Sequence, residues 1–233
     1  MNIISNIKSP NFSIRKDNEV IDTIIIHYTG MNNSDKAINR LCDPNAKVSS
    51  HYFINRNGLV WQLVEDRKVA WHAGVSKWLG RKNLNETSIG IELCNPGHYN
   101  NYSNFTNKQY KSLEFLIKIL KQKYFISSDR VLGHSDIAPN RKKDPGEKFN
   151  WKRLARENLA IWPKKIITPK NQKRDIEHYL QQIGYDVELN LNYIIRAFKR
   201  HFVPRDKSLL INENIVNIAY SVSEEFKKNR SLY

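Results

Sequence analysis

Two cysteines, Cys42 and Cys94, are all that the 233 residues contain, so a disulfide-stapled scaffold is excluded. No apolar run approaches the roughly 18–20 residues that a membrane-spanning helix needs. The opening stretch, MNIISNIKSPNFSIRKDNEV, is broken by Asn, Lys and Pro before a leader-like apolar core can form, so no secretory leader is expected in this sequence. Internal repeats and low-complexity tracts are missing as well. Acidic residues are few beside basic ones, 23 Asp+Glu against 38 Lys+Arg, giving a formal net charge of +15. Apolar residues make up 40% and aromatic ones 11%, enough for a core and too much for a disordered chain. The expectation is a basic globular protein of one domain, or one domain with a small appendage.

The charge is unevenly distributed. Residues 1–170 hold 28 Lys+Arg and 15 Asp+Glu, a net +13, whereas residues 171–233 hold 10 and 8, a net +2. Nucleic-acid modules concentrate cations on one element among stacking aromatics. Here the basic residues are scattered and the densest runs, such as Arg141-Lys142-Lys143, are short. The scattered charge reads first as a solvated basic surface, with attraction toward nucleic acid or a carboxylate-bearing polymer as the functional alternative; no nucleic-acid partner is expected.

Residues 20–27 form a β-branched run too apolar for a half-exposed strand and read as a central strand buried on both faces. Ser34 is expected to cap a short helix carrying Ala37, Ile38 and Leu41, ended by Asp43-Pro44. Residues 51–55 and 59–64 flank Asn57-Gly58, a hairpin signal. In 88–93, Ile89, Ile91 and Leu93 alternate with Gly90 and Glu92. Thr106 and Gln109 make a capping box for a helix over 107–124, with Tyr110, Leu113, Ile117, Leu120 and Tyr124 on one face. A short strand over 130–132 leads into Gly133-His134. These elements predict an α/β fold with a mixed central sheet flanked by helices. Residues 160–173 read as a linker, and three helical stripes follow in a small all-α C-terminal domain: Ile176/Leu180/Ile183, Leu191/Ile194/Phe198/Phe202 and Ile215/Ile218/Val222/Phe226. The expected domains are 1–165 and 171–233.

His27 and His134 differ from the other five histidines in sitting at the C-terminal ends of predicted strands, where loops build clefts. Asp144 follows ten residues after His134, in a loop stiffened by Pro139 and Pro145. Two imidazoles and one carboxylate suit a catalytic zinc, which keeps a fourth position for water. Spacing alone leaves Asp136 as an alternative to Asp144, and His51 or His72 as alternatives to either histidine. Glu92, on the polar side of an internal strand, is the candidate proton acceptor. Lys142 projects with Asp144 from the same side of an extended loop and suits an oxyanion. Trp71-His72-Ala73-Gly74 and Trp78 suit either a sugar-stacking platform or residues folded onto the core. Cys42 and Cys94 lack metal-ligand spacing and read as buried thiols.

Five ordered blocks then carry a resemblance: IIIHYT (24–29), SSHYFI (49–54), AWHAG (70–74), GRKNLNETSIGIE (80–92) and GHSDIAP through KKDPG (133–146). The sequence resembles the zinc-dependent N-acetylmuramoyl-L-alanine amidases of the type 2 amidase family, relatives of phage amidases and of peptidoglycan recognition proteins. The resemblance implies His27, His134 and Asp144 as ligands of Zn2+, Glu92 as general base and acid, and Lys142 as stabiliser of the transition state. It places His72 and Arg81 near the substrate groove. Some phage relatives carry a Cys as third ligand and a Tyr before the second-block histidine. Asp144 and Ser50 in those places point to the AmiD/AmpD-like bacterial branch. Residues 176–185 and 197–202 resemble a peptidoglycan-binding three-helix module, although its Gly-rich middle is replaced by Glu188-Leu189-Asn190-Leu191-Asn192. The implied activity is hydrolysis of the amide between N-acetylmuramic acid, or its 1,6-anhydro form, and L-alanine; the competing expectation is a peptidoglycan recognition protein that does not cut. Muropeptides are the implied partners. The lack of a leader favours cytoplasmic recycling, while a wall-binding module favours the envelope.

Overall fold

The computed structural model describes residues 2–169 and 175–232. Its strands are β1 (Ile3–Ile4), β2 (Phe12–Ile14), β3 (Thr23–Tyr28), β4 (Tyr52–Ile54), β5 (Val60–Gln62), β6 (Lys68–Ala70), β7 (Lys77–Trp78), β8 (Arg81–Lys82), β9 (Ser88–Leu93) and β10 (Val131–Gly133). The helices are α1 (Ser34–Cys42), α2 (Asn107–Tyr124), α3 (His134–Ile137), α4 (Trp151–Arg156), α5 (Ile176–Ile183), α6 (Leu191–Phe202) and α7 (Glu213–Arg230). Six strands form the central sheet in the order β1-β5-β4-β9-β3-β10. All its pairings are parallel except β4 with β5, so the sheet is mixed as expected.

The predicted central strand is β3, buried except at Tyr28 and flanked by β9 and β10. It begins at Thr23 rather than at Val20, whose side chain is 69% exposed. Its two faces enter different cores. Ile24 and Ile26 join Ile89, Ile91 and Leu93 of β9 under Leu113, Ile117 and Leu120 of α2. Ile25 faces the other way, into a cluster with Trp78, Leu132 and Ile137. His27 shares the parity of Ile25, and Glu92 is its register partner on β9. The strand alternation therefore puts His27 and Glu92 on one face, at the C-terminal ends of parallel strands.

Helix α2 carries the Thr106–Gln109 capping box in both directions. The Asn57-Gly58 turn closes the β4–β5 hairpin. Gly58 has φ +81°, and a Cβ there would stand 2.7 Å from the Lys108 carbonyl oxygen, so the turn needs glycine twice over. Helix α1 is capped by Asn33, whose side chain accepts from Lys36 N, and not by Ser34. Asn lies beside Ser in the sequence, and both residue types cap well. Cys94 is buried but Cys42 only half-buried, and both are free thiols.

The three C-terminal stripes are α5, α6 and α7. Of the expected linker, residues 170–173 lie outside the described residues, as does the expected domain start at 171–174. The preceding segment is packed: Ile161 is buried, Trp162 meets Phe202 with ring centroids 5.9 Å apart, and Ile167 N donates to Ser221 Oγ at 2.9 Å. Leu180, Ile183, Ile195 and Phe198 of the helices share one apolar cluster with Ile25, Trp78 and Leu132. Trp78, 1% exposed, makes edge contact with Tyr185, so it belongs to the core and not to a sugar platform. The polar centre of this junction is Asp136, 1% exposed. Its Oδ2 accepts from Gly133 N and from His201 Nδ1, both at 2.8 Å, and its Oδ1 accepts from Tyr185 Oη at 2.9 Å. Asp136→Ala strands these buried donors and is expected to lower the unfolding free energy by roughly 2–4 kcal/mol in urea denaturation. A loss below about 0.5 kcal/mol would show that the junction holds without them.

Candidate metal centre and catalytic cleft

Three segments converge on one point. His27 ends the buried part of β3. His134 opens α3 directly after β10, whose Gly133 pairs with Ile26, one register step short of His27. Asp144 arrives on the loop after α3, held by Ser135 N donating to the Asp144 carbonyl at 2.8 Å. His27 Nδ1 lies 2.9 Å from His134 Nδ1 and 3.0 Å from Asp144 Oδ2, and His134 Nδ1 lies 3.1 Å from that same oxygen. All three residues are buried.

The tautomers follow from the outer hydrogen bonds. His134 Nε2–H donates to Ala73 O at 3.0 Å. Ser88 Oγ–H donates to Leu84 O, so Ser88 accepts from His72 Nε2 at 3.3 Å. His72 Nδ1 is then an acceptor, and it takes the His27 Nε2–H at 3.0 Å. Both inner histidines thus turn Nδ1 lone pairs toward the carboxylate oxygen. Burial and the neighbouring His134 push the His27 pKa down to about 4, which favours the neutral ring. Two lone pairs and a carboxylate at contact distance repel one another unless a cation lies among them. The donor set therefore fits a divalent metal ion with outer partners already fixing the rings.

A cleft of about 330 Å³ opens over these three residues, walled by Tyr28, Glu92, Tyr99, Arg141 and Lys142. Glu92 is 9% exposed, and its Oε2 is buried without a hydrogen bond. Burial, reinforced by Asp144 and opposed by Lys142, pushes its pKa up to about 8. This carboxyl group lines the cleft beside the His27–His134–Asp144 donor set.

The remaining expected residues fall in different places. His72 lines the cleft wall beneath His27 and packs its ring on Gly90, where a Cβ would stand 2.4 Å from the ring. Arg81 is not brought to the cleft lining; it pairs with Asp22 at 2.7 Å on the surface. His51 is taken up by Gly90 N at 3.0 Å and Lys68 O at 3.0 Å. Asp136 faces the C-terminal helices. Both drop out as alternatives within the donor set.

A family model described as N-acetylmuramoyl-L-alanine amidase matches residues 17–147, which spans all three donors and Glu92. The chain belongs to this family. N-acetylmuramoyl-L-alanine amidase AmiD of Escherichia coli is 35% identical over 212 residues, covering 79% of this chain and 75% of that protein. The 1,6-anhydro-N-acetylmuramyl-L-alanine amidase AmpD of Haemophilus influenzae is 38% identical over 165 residues, covering 63% and 88%. The solved complex of E. coli AmiD with anhydro-N-acetylmuramic acid-L-Ala-D-γ-Glu-L-Lys matches with a TM-score of 0.77 at 32% identity, over 90% of this chain and 92% of that one. The complex of AMPDH3 of Pseudomonas aeruginosa with anhydromuramic pentapeptide gives a TM-score of 0.80 at 27% identity, over 88% and 92%. Matches of that extent take in the C-terminal helices, so α5–α7 are part of the fold this amidase shares with AmiD.

Sequence reasoning missed one structural element of the amidase cleft. Arg141 Nε donates to Val75 O at 2.8 Å and its Nη2 also reaches Ala73 O, tying the ligand loop to the loop that receives His134. Within a run of three cations, nothing in the sequence marks which one turns inward.

Proposed function

We propose that the chain is a zinc-dependent hydrolase that cuts the amide between the lactyl carbonyl of N-acetylmuramic acid, in reducing-end or 1,6-anhydro form, and the nitrogen of L-alanine. The observation that carries this reading is the buried His27–His134–Asp144 donor set facing an unpartnered Glu92 across an open cleft. Family membership, the substrate named in the AmiD complex and the anhydromuramic pentapeptide bound in the AMPDH3 complex support it.

His27 Nδ1, His134 Nδ1 and Asp144 Oδ2 would hold zinc, which when bound would supply a Lewis acid able to polarise a carbonyl and acidify water. Glu92 receives the proton of the attacking water. Burial raises its pKa to about 8 even against the pull of Lys142, and a divalent cation in the donor set would draw it down toward neutrality, where a base is most effective. As the C–N bond breaks, Glu92 returns that proton to the departing alanine nitrogen. The Lys142 ammonium lies against the oxygen that gains negative charge. Arg40, Arg141 and Lys143 add positive charge to the cleft wall, which suits a stem peptide bearing carboxylates.

His72 acts as a positioning residue for His27. Gly90→Ala drives a Cβ into the His72 ring and is expected to weaken zinc binding about 10- to 100-fold. Competition with a chelating dye reads this directly, and unchanged affinity would remove His72 from the support of the site. The activity itself is tested by mass spectrometry of products from anhydro and reducing-end muropeptides incubated with the zinc-loaded protein. Peptides with a free L-alanine amine are expected. Binding of muropeptide without peptide release would turn the assignment to a recognition protein.

A further inference from the structure

A second hollow, of about 200 Å³, lies between the ligand loop and the C-terminal helices. Lys143 lines both this hollow and the cleft. The wall between them is thin: Tyr28 of the cleft donates its hydroxyl proton to His98 Nδ1 of the hollow at 2.8 Å. The hollow is strongly positive. It holds Lys143, Arg196, Lys199, Arg200 and Lys207 against Glu147 and Asp206.

Both acids are already engaged. Glu147 accepts from His98 Nε2 at 2.9 Å and pairs with Lys207 at 3.6 Å, while Asp206 takes Lys199 at 2.8 Å. Among the described residues, Lys143, Arg196 and Arg200 are left without a carboxylate partner. Arg200 Nη1 is buried and has no acceptor at all. Leaving a guanidinium N–H dry and unpaired is costly: burial pulls the Arg200 pKa down against the opposing charge of Glu147, and the neighbouring Arg196 adds to the fall.

We infer that this hollow is a carboxylate subsite, in which Arg196 and Arg200 receive an acid group of the substrate's stem peptide while the muramyl–alanine bond lies over the donor set. The inference rests on the amidase reading, since the stem supplies the acid. A guanidinium fork matches a planar carboxylate in two parallel hydrogen bonds. A phosphate group would satisfy the same cations, so inorganic phosphate serves as the competing anion in the test. Helix α6 would then serve the cleft directly, giving the C-terminal helices a part in substrate choice.

The test uses the zinc-loaded full chain and the peptide L-Ala-D-γ-Glu-L-Lys, as free acid and as its diamide, titrated by calorimetry. Arg200→Gln removes the half-buried guanidinium and its unpaired Nη1; Arg196→Gln, at an exposed position, keeps the test valid if the first variant folds poorly. Each is expected to raise Kd for the acid about tenfold and to leave the diamide unaffected. Equal acid binding by wild type and variants, or equal loss of acid and diamide, would overturn the subsite. So would inorganic phosphate competing fully at concentrations below those of the peptide. Turnover of the corresponding anhydromuramyl tripeptide, followed in the same samples, separates the two claims. No hydrolysis with acid binding still dependent on arginine removes the amidase reading and keeps the subsite. Hydrolysis with the same KM in wild type and variants removes the subsite alone.

Discussion

Glu92→Gln is expected to lower kcat about 10²- to 10⁴-fold while fold and metal content stay as they are. The amide has nearly the shape of the carboxyl group but cannot accept the proton of water. Because Glu92 Oε2 has no hydrogen bond in the folded chain, the substitution breaks none there. The same variant carries a stability signature of opposite sign. The folded chain raises the Glu92 pKa from 4.5 to about 8, so it binds this proton more tightly than the unfolded chain. That contribution is fully present below pH 4.5 and is lost as pH rises toward 8. Metal-free Glu92→Gln should therefore melt at a higher temperature than wild type at pH 8–9, with the gap closing below about pH 4.5. Near-wild-type kcat in the variant would remove Glu92 from the chemistry.

Asp144→Ala is expected to abolish activity, a loss of at least about 10³-fold at limiting zinc, by reducing three donors to two. Dialysis against zinc followed by elemental analysis should find about one ion per wild-type chain and a small fraction of that in the variant. The informative contrast is with Asp136→Ala. That carboxylate lies eight residues earlier and is also buried, yet it bonds His201 of α6 and Tyr185 of the α5–α6 connection. Its loss should cost stability and spare zinc binding. Equal zinc loss in the two variants would mean that Asp144 acts through the fold rather than as a ligand.

The contrast also shows what a sequence can carry. Elements with a local signal were legible: the β-branched run of β3, the capping box of α2, the Asn57-Gly58 hairpin and all three C-terminal stripes. Boundaries set by competition between neighbours were not, as Asn33 against Ser34 shows. Contacts across long separations leave no periodic trace, so the burial of Trp78 against Tyr185 and the pairing of Asp136 with His201 could not be read. The donor set was legible in part. Residue types and strand ends selected His27 and His134, but spacing left Asp136 open beside Asp144 until the blocks of family resemblance were weighed. The alternation within β9 put Glu92 opposite the apolar face, and only the β3–β9 register sets it beside His27. The placement of His72 had one overlooked signal. A glycine inside a buried strand marks a close approach, and Gly90 carries the His72 ring.

The most direct test of the account is anomalous scattering at the zinc absorption edge from crystals of the zinc-loaded protein. The expected result is one strong peak bonded to His27 Nδ1, His134 Nδ1 and Asp144 Oδ2, facing Glu92 across the cleft. A peak on other residues, or none while the crystallised protein retains activity, would contradict it.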